Sequence, residues 1–158
     1  MKEFKRWIFS MMFLLILTGC AKAEEKPLKV YSFSGENEQI AVSNGVIVLR
    51  DTEEIFYGGD LEAVGEEFSD ITCCSTKFYI MSGSENVAIS SNIIEDLTGG
   101  TVQVPGGLGK LSGDGIITRT KIKDADDLKN NLYFELTTMN KDGEKRVYQL
   151  QMSVEEVM

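Results

Sequence analysis

Histidine is missing from all 158 residues, and several chemistries go with it. Neither a Ser-His-Asp nor a Cys-His nucleophilic system can be assembled, and no imidazole is present to ligate a metal. The usual general base near neutral pH is also absent. Cysteine occurs only at positions 20, 73 and 74, too few for the disulfide framework of a small secreted protein. Cations are scarce too, with 16 Lys and Arg against 25 Asp and Glu. Such a surface repels phosphate backbones and offers no counterion-releasing patch, so nucleic acid is not expected as a partner. Long apolar runs are lacking: the longest, residues 7–17, falls short of the roughly 20 residues a membrane-crossing helix needs. No cofactor motif is met.

What is present begins at the N-terminus. Lys2, Lys5 and Arg6 form a positive flank, and residues 7–17 are apolar apart from Ser10. Leu17-Thr18-Gly19-Cys20 then supplies small residues before a cysteine. A positive start, a short apolar run and a small-residue cleavage site make a secretory signal. Leu17-Thr18-Gly19-Cys20 resembles the lipobox of bacterial lipoproteins. The resemblance implies that Cys20 takes a diacylglyceryl group and becomes the new N-terminus, at the extracytoplasmic face of a cell membrane. The competing reading is an uncleaved anchor with an incidental cysteine. Further acylation, for example by palmitate, gives a stable anchor, because one chain binds only reversibly at about 0.8 kcal/mol per buried CH₂. Residues 20–28 then read as lipidated Cys20 and a polar tether, able to reach roughly 25 Å at ~3.5 Å per residue.

Removal of residues 1–19 takes away Trp7, the sole tryptophan, and three cations. The remaining chain carries 13 Lys and Arg against 24 Asp and Glu, a net charge of −11. It is long enough for one domain, over residues 29–158, with an ordinary core.

The expected architecture is all-β: an antiparallel sandwich or small barrel of about eight strands, with at most one or two helical turns. Residues 39–42 and 46–49 flank Ser43-Asn44-Gly45, a tight-hairpin signal. Residues 54–57, 71–81, 86–90, 101–104 and 115–122 read as further strands. The clearest unit is a hairpin of residues 132–139 and 145–153 around Asn140-Lys141-Asp142-Gly143. Its dry face holds Leu132, Phe134, Leu136, Tyr148, Leu150 and Met152. Residues 124–129 predict one helical turn with Asp124 as N-cap, and residues 61–68 a weaker helix spoiled by Gly65.

Candidate chemistry is thin. Cys73 and Cys74 fall on opposite faces of a strand and read as free thiols, against a vicinal or intermolecular disulfide. Glu53-Glu54, Glu66-Glu67 and Asp126-Asp127 could each join a glycosidase-like pair, but so acidic a chain supplies such pairs by chance. Val104-Pro105-Gly106-Gly107-Leu108-Gly109-Lys110-Leu111 departs from a phosphate loop at both ends; it reads as a flexible loop, conceivably a binding edge. Asp124, Asp126 and Asp127 could offer oxygens to calcium but lack the EF-hand pattern, so no metal site is expected. Tyr57, beside Gly58-Gly59-Asp60, is the aromatic a loop could best expose, and Tyr57 with Asp60 forms the candidate ligand-binding pair.

Tyr31-Ser32-Phe33-Ser34-Gly35-Glu36-Asn37, residues 43–46 and residues 128–136 resemble small, uncharacterised lipoproteins of Gram-positive bacteria. That likeness implies location and β content. The expected function is a non-enzymatic, membrane-anchored module binding a protein, peptide or envelope polymer. The alternatives are a small carboxylate-dependent hydrolase of envelope glycans and an accessory subunit of an envelope assembly.

Overall fold

The computed structural model describes residues 28–50, 53–118 and 126–158. The expected signal segment, Cys20, most of the expected tether and Asp124 lie outside these residues. Among the described residues, ten antiparallel strands form two sheets. The larger sheet has the order β10-β1-β2-β3-β7, with β4 also paired to β2. Its strands are β1 (Lys29–Glu36), β2 (Ile40–Leu49), β3 (Glu54–Tyr57), β4 (Asp60–Ala63), β7 (Lys110–Gly113) and β10 (Ser153–Glu156). The smaller sheet runs β6-β5-β8-β9, from β5 (Ile71–Ser82), β6 (Glu85–Glu95), β8 (Leu132–Asn140) and β9 (Lys145–Gln151). A short α-helical turn, α1 (Asp126–Lys129), precedes β8.

Alternation explains how the sheets meet. Tyr31 and Phe33 on β1, Phe56 on β3, Phe78 and Ile80 on β5, and Leu132, Phe134 and Leu136 on β8 all turn inward and are buried. Phe78 sits at the centre of this core, with ring centroids 5.6 Å from Phe33, 5.0 Å from Phe56 and 4.9 Å from Phe134. Rings from both sheets thus share one cluster, the arrangement expected of packed inner faces. The last hairpin forms as its alternation predicts: Leu150 and Met152 are buried while Gln149 and Gln151 face water. At Met152 the chain leaves the smaller sheet, and β10 pairs with β1 in the larger one.

Several expected elements differ. Ser43-Asn44-Gly45 does not reverse the chain; it lies inside β2. Asn44 has φ 57°, and the pairing of β1 with β2 shifts register between Phe33 and Gly35. Asn tolerates the left-handed conformation that a hairpin turn needs, and a bulge needs it equally. β3 and β4 keep one continuous register along β2, so they act as one strand broken at Gly58-Gly59. The helix expected over residues 61–68 is replaced by β4 and a 3₁₀ turn (Glu66–Phe68), with Gly65 at φ 136° between them. Residues 101–104 form no strand, although the Val102 N–H donates to the Ile71 carbonyl at 2.8 Å. Residues 115–117 form a turn rather than the start of a strand, and residues 119–122 of that expected strand fall outside the described residues.

Candidate functional site

Tyr57 and Asp60 lie on either side of the Gly58-Gly59 break. Phe56 points into the core, so its neighbour Tyr57 points out and is 36% exposed. Asp60 is exposed, and its Oδ2 accepts a hydrogen bond from Asn44 Nδ2 at 2.8 Å. That bond ties the corner to the bulge of β2, so Asp60 has a local structural partner. The glycines between the pair permit close approach. A Cβ on Gly58 would lie 2.7 Å from the Leu108 Cβ, and Gly59 has φ 81°.

The glycine-rich stretch at residues 104–111 is more ordered than the expected flexible loop. Gly58 N–H donates to the Gly109 carbonyl, Leu108 N–H to Gly59 and Leu61 N–H to Gly106, each at 2.9 Å. Asp60 bridges Gly107 in the register that β3 and β7 already share. The stretch therefore extends β7 along the break, and the small residues let the two backbones run side by side. Tyr57 therefore stands beside a paired, glycine-lined surface.

The acidic pairs separate in the structure. Glu54 is buried at 4% exposure, against the expectation of solvated surface. Its Oε2 accepts from the Ile117 N–H at 2.6 Å and the Thr118 N–H at 3.3 Å. A carboxylate so placed satisfies backbone donors that no described strand ladder reaches. Glu66 and Glu67 instead line a cleft of about 350 Å³ with Asp70, Asp142 and Glu144. Lys141 lies 3.9 Å from Asp70 and Arg146 3.7 Å from Glu144. Asn140 organises one wall: its Oδ1 accepts from the backbone N–H groups of Asp142 and Glu144 at 3.0 and 2.9 Å. The cleft is lined almost wholly by charged and polar side chains, five of them carboxylates. Among the described residues no three His, Cys, Asp or Glu are placed to hold a metal ion.

Cys73 and Cys74 are free thiols, Cys74 buried and Cys73 half-buried. Burial, and secondarily the neighbouring Cys73, push the Cys74 thiol above its ordinary range, so Cys74 packs as a small hydrophobe rather than a nucleophile. Beyond β6, Asp96 Oδ1 accepts from the Thr98 hydroxyl at 2.6 Å and the Thr98 N–H at 2.7 Å. These bonds hold the Asp96 carboxyl below the usual carboxylate range.

Sequence reading found a strand over residues 86–90 but not its continuation to Glu95, nor its place at the margin of a sheet. Eleven residues long, β6 forms one margin of the smaller sheet. Ser91, Asn92 and Ile93 are all exposed, although their side chains alternate between faces, so this stretch overhangs the sandwich. No protein family matches the chain, and comparison with curated proteins and solved structures finds no match either.

Proposed function

We propose that the chain is a lipid-anchored, extracytoplasmic binding module, held at the outer side of a cell membrane through Cys20 and free of catalytic work of its own. The observation that carries the address is Leu17-Thr18-Gly19-Cys20 directly after an eleven-residue apolar run. A β-sandwich with a long strand at one sheet margin supports the binding role, since such a scaffold presents surface to a partner. Its partner is a protein, peptide or envelope polymer. The mature charge leaves membrane attachment to the acyl chains, because an acidic domain is repelled by anionic lipid.

Labelling with an alkyne fatty acid tests the anchor. The wild-type chain is expected to take the label and to fractionate with membranes, and Cys20→Ala to do neither. Equal labelling of both would remove the reading. The acidic cleft favours one second reading, the carboxylate-dependent hydrolase of envelope glycans. In that case purified protein releases new reducing ends from envelope polysaccharide, and Glu67→Gln or Asp142→Asn abolishes the release.

A further inference from the structure

The strands at the sheet margins are not protected alike. An edge strand offers unpaired N–H and C=O groups to any extended chain, and proteins guard against this with charge, shortness, proline or bulges. β9 opens with Lys145 and Arg146, β10 ends in Glu155 and Glu156, and β4 and β7 have four residues each. β6 is different. Between Glu85 and Glu95 it runs Asn86-Val87-Ala88-Ile89-Ser90-Ser91-Asn92-Ile93-Ile94, with neither charge nor proline. Its one device is a bulge, where Phe78 pairs with Ser90 and Tyr79 with Ala88. Past the bulge, residues 90–95 continue in unbroken register with β5. Among the described residues no strand covers their outer side.

We propose that residues 90–95 of β6 are a docking edge for an extended segment of a different protein, which adds a fifth strand to the smaller sheet. The inference rests on reading the domain as a binding module and names where and what it binds. Antiparallel or parallel addition supplies the main-chain bonds, and neighbouring side chains supply the choice of partner. Ile93, 65% exposed, ends a cross-strand row with Ser75, Thr137 and Val147. A β-branched or aromatic residue on the incoming strand would pack beside it. Glu95 and Asp96 make one end of the edge acidic. The one cation on this stretch of β5, Lys77, pairs across from Ser91, with its ammonium 5.2 Å from the centre of the Tyr79 ring. The partner strand is therefore uncharged and β-prone in its centre and basic at its flank.

A second copy of the chain fits less well. β6 carries Glu85 and Glu95 and no base, so another β6 cannot supply the counter-charge. Two mature domains also meet with a net charge of −11 each, which favours the monomer.

The test uses the full-length lipoprotein in detergent micelles and a fluorescent peptide, acetyl-Lys-Thr-Val-Thr-Val-Thr-Lys-amide, read by anisotropy. Saturable binding is expected, weakened at least about tenfold by methylating alternate peptide nitrogens, by replacing the terminal Lys with Glu, or by Ile93→Lys. Asn92→Lys, on the opposite face, provides a second edge variant, and the two peptide controls leave the protein untouched. Absence of binding, or binding indifferent to N-methylation, overturns the proposal. So does a dimer seen by light scattering and abolished by Ile93→Lys, because the edge then belongs to a second copy. Fatty-acid labelling of Cys20 on the same preparation shows whether the anchor reading stands when the edge reading falls.

Discussion

Glu54 shows how a single side chain can look like surface and be structure. Its doublet with Glu53 suggests solvent, yet strand parity places Glu54 on the same face as the buried Phe56. Reading parity before composition would have found it; what it caps, residues 117 and 118, could not be read, because that contact spans more than sixty positions. Glu54→Leu removes the carboxylate acceptor from the buried Ile117 N–H, while the Thr118 N–H can turn to water, and is expected to cost about 1–3 kcal/mol, the range for one unsatisfied buried group. Glu54→Gln keeps an acceptor and should cost clearly less; urea unfolding of both variants decides. Residue parity also separates the thiols, as the sequence suggested. Iodoacetamide at pH 8 is expected to add one group to Cys73 in the native protein and to reach Cys74 only after unfolding, as intact mass would show. Equal native labelling would contradict the packing. Because the Cys74 thiol is raised in the fold, its contribution to stability is complete below the ordinary thiol range and fades as pH climbs through the folded value.

At the scale of elements, periodicity was readable and connection was not. β8 alternates strictly, and the alternation of β5 and β9 is clear enough that their dry faces follow from the chain itself, although the strand expected over residues 145–153 breaks at Met152 into β9 and β10. Asn44-Gly45 shows the limit: its chemistry specifies a left-handed backbone, which serves a reversal or a bulge, and only the register with β1 and β4 chooses. The glycine beside it has its own reason. A Cβ on Gly45 would run into the Phe33 ring, which stacks on Phe56 at 5.5 Å. Gly45→Ala is therefore expected to lose about 1–3 kcal/mol through overpacking, while Asn44→Gly should change stability far less. Thermal unfolding of the pair tests this, and a neutral Gly45→Ala would show that the ring has room to yield. The candidate site suffered a similar blindness. Tyr57 and Asp60 drew notice because glycines flank them, but those glycines serve backbone pairing with residues 106–109. The open margin of β6 has no motif to announce it, since an edge is defined by which neighbours are missing.

For the molecule as a whole, the consequential step is the crossing at Met152. The Met152 N–H still donates to Leu132 in the smaller sheet at 2.9 Å, while Val154 two residues later is buried against β1 in the larger one. The chain's last residues thus lace the two sheets together beside the strand where the described domain begins. Val30 exchanges backbone hydrogen bonds with Val157 and Met158 at 2.8–3.3 Å, so β1, next after the proposed tether, is held on both sides by β2 and β10. A pull arriving through a lipid-anchored tether would meet paired backbone on each flank. Deleting residues 153–158 removes that pairing and uncovers Tyr31 and Phe33. Loss of the buried Val154 alone accounts for about 1.5–3 kcal/mol, enough to lower the melting temperature by roughly 5–15 °C in a domain of this size. Hydrogen exchange should show the loss concentrated in β1, with β5 and β8 following only at global unfolding. Uniform loss across both sheets would mean that β10 stabilises the core directly rather than by securing the strand beside the tether.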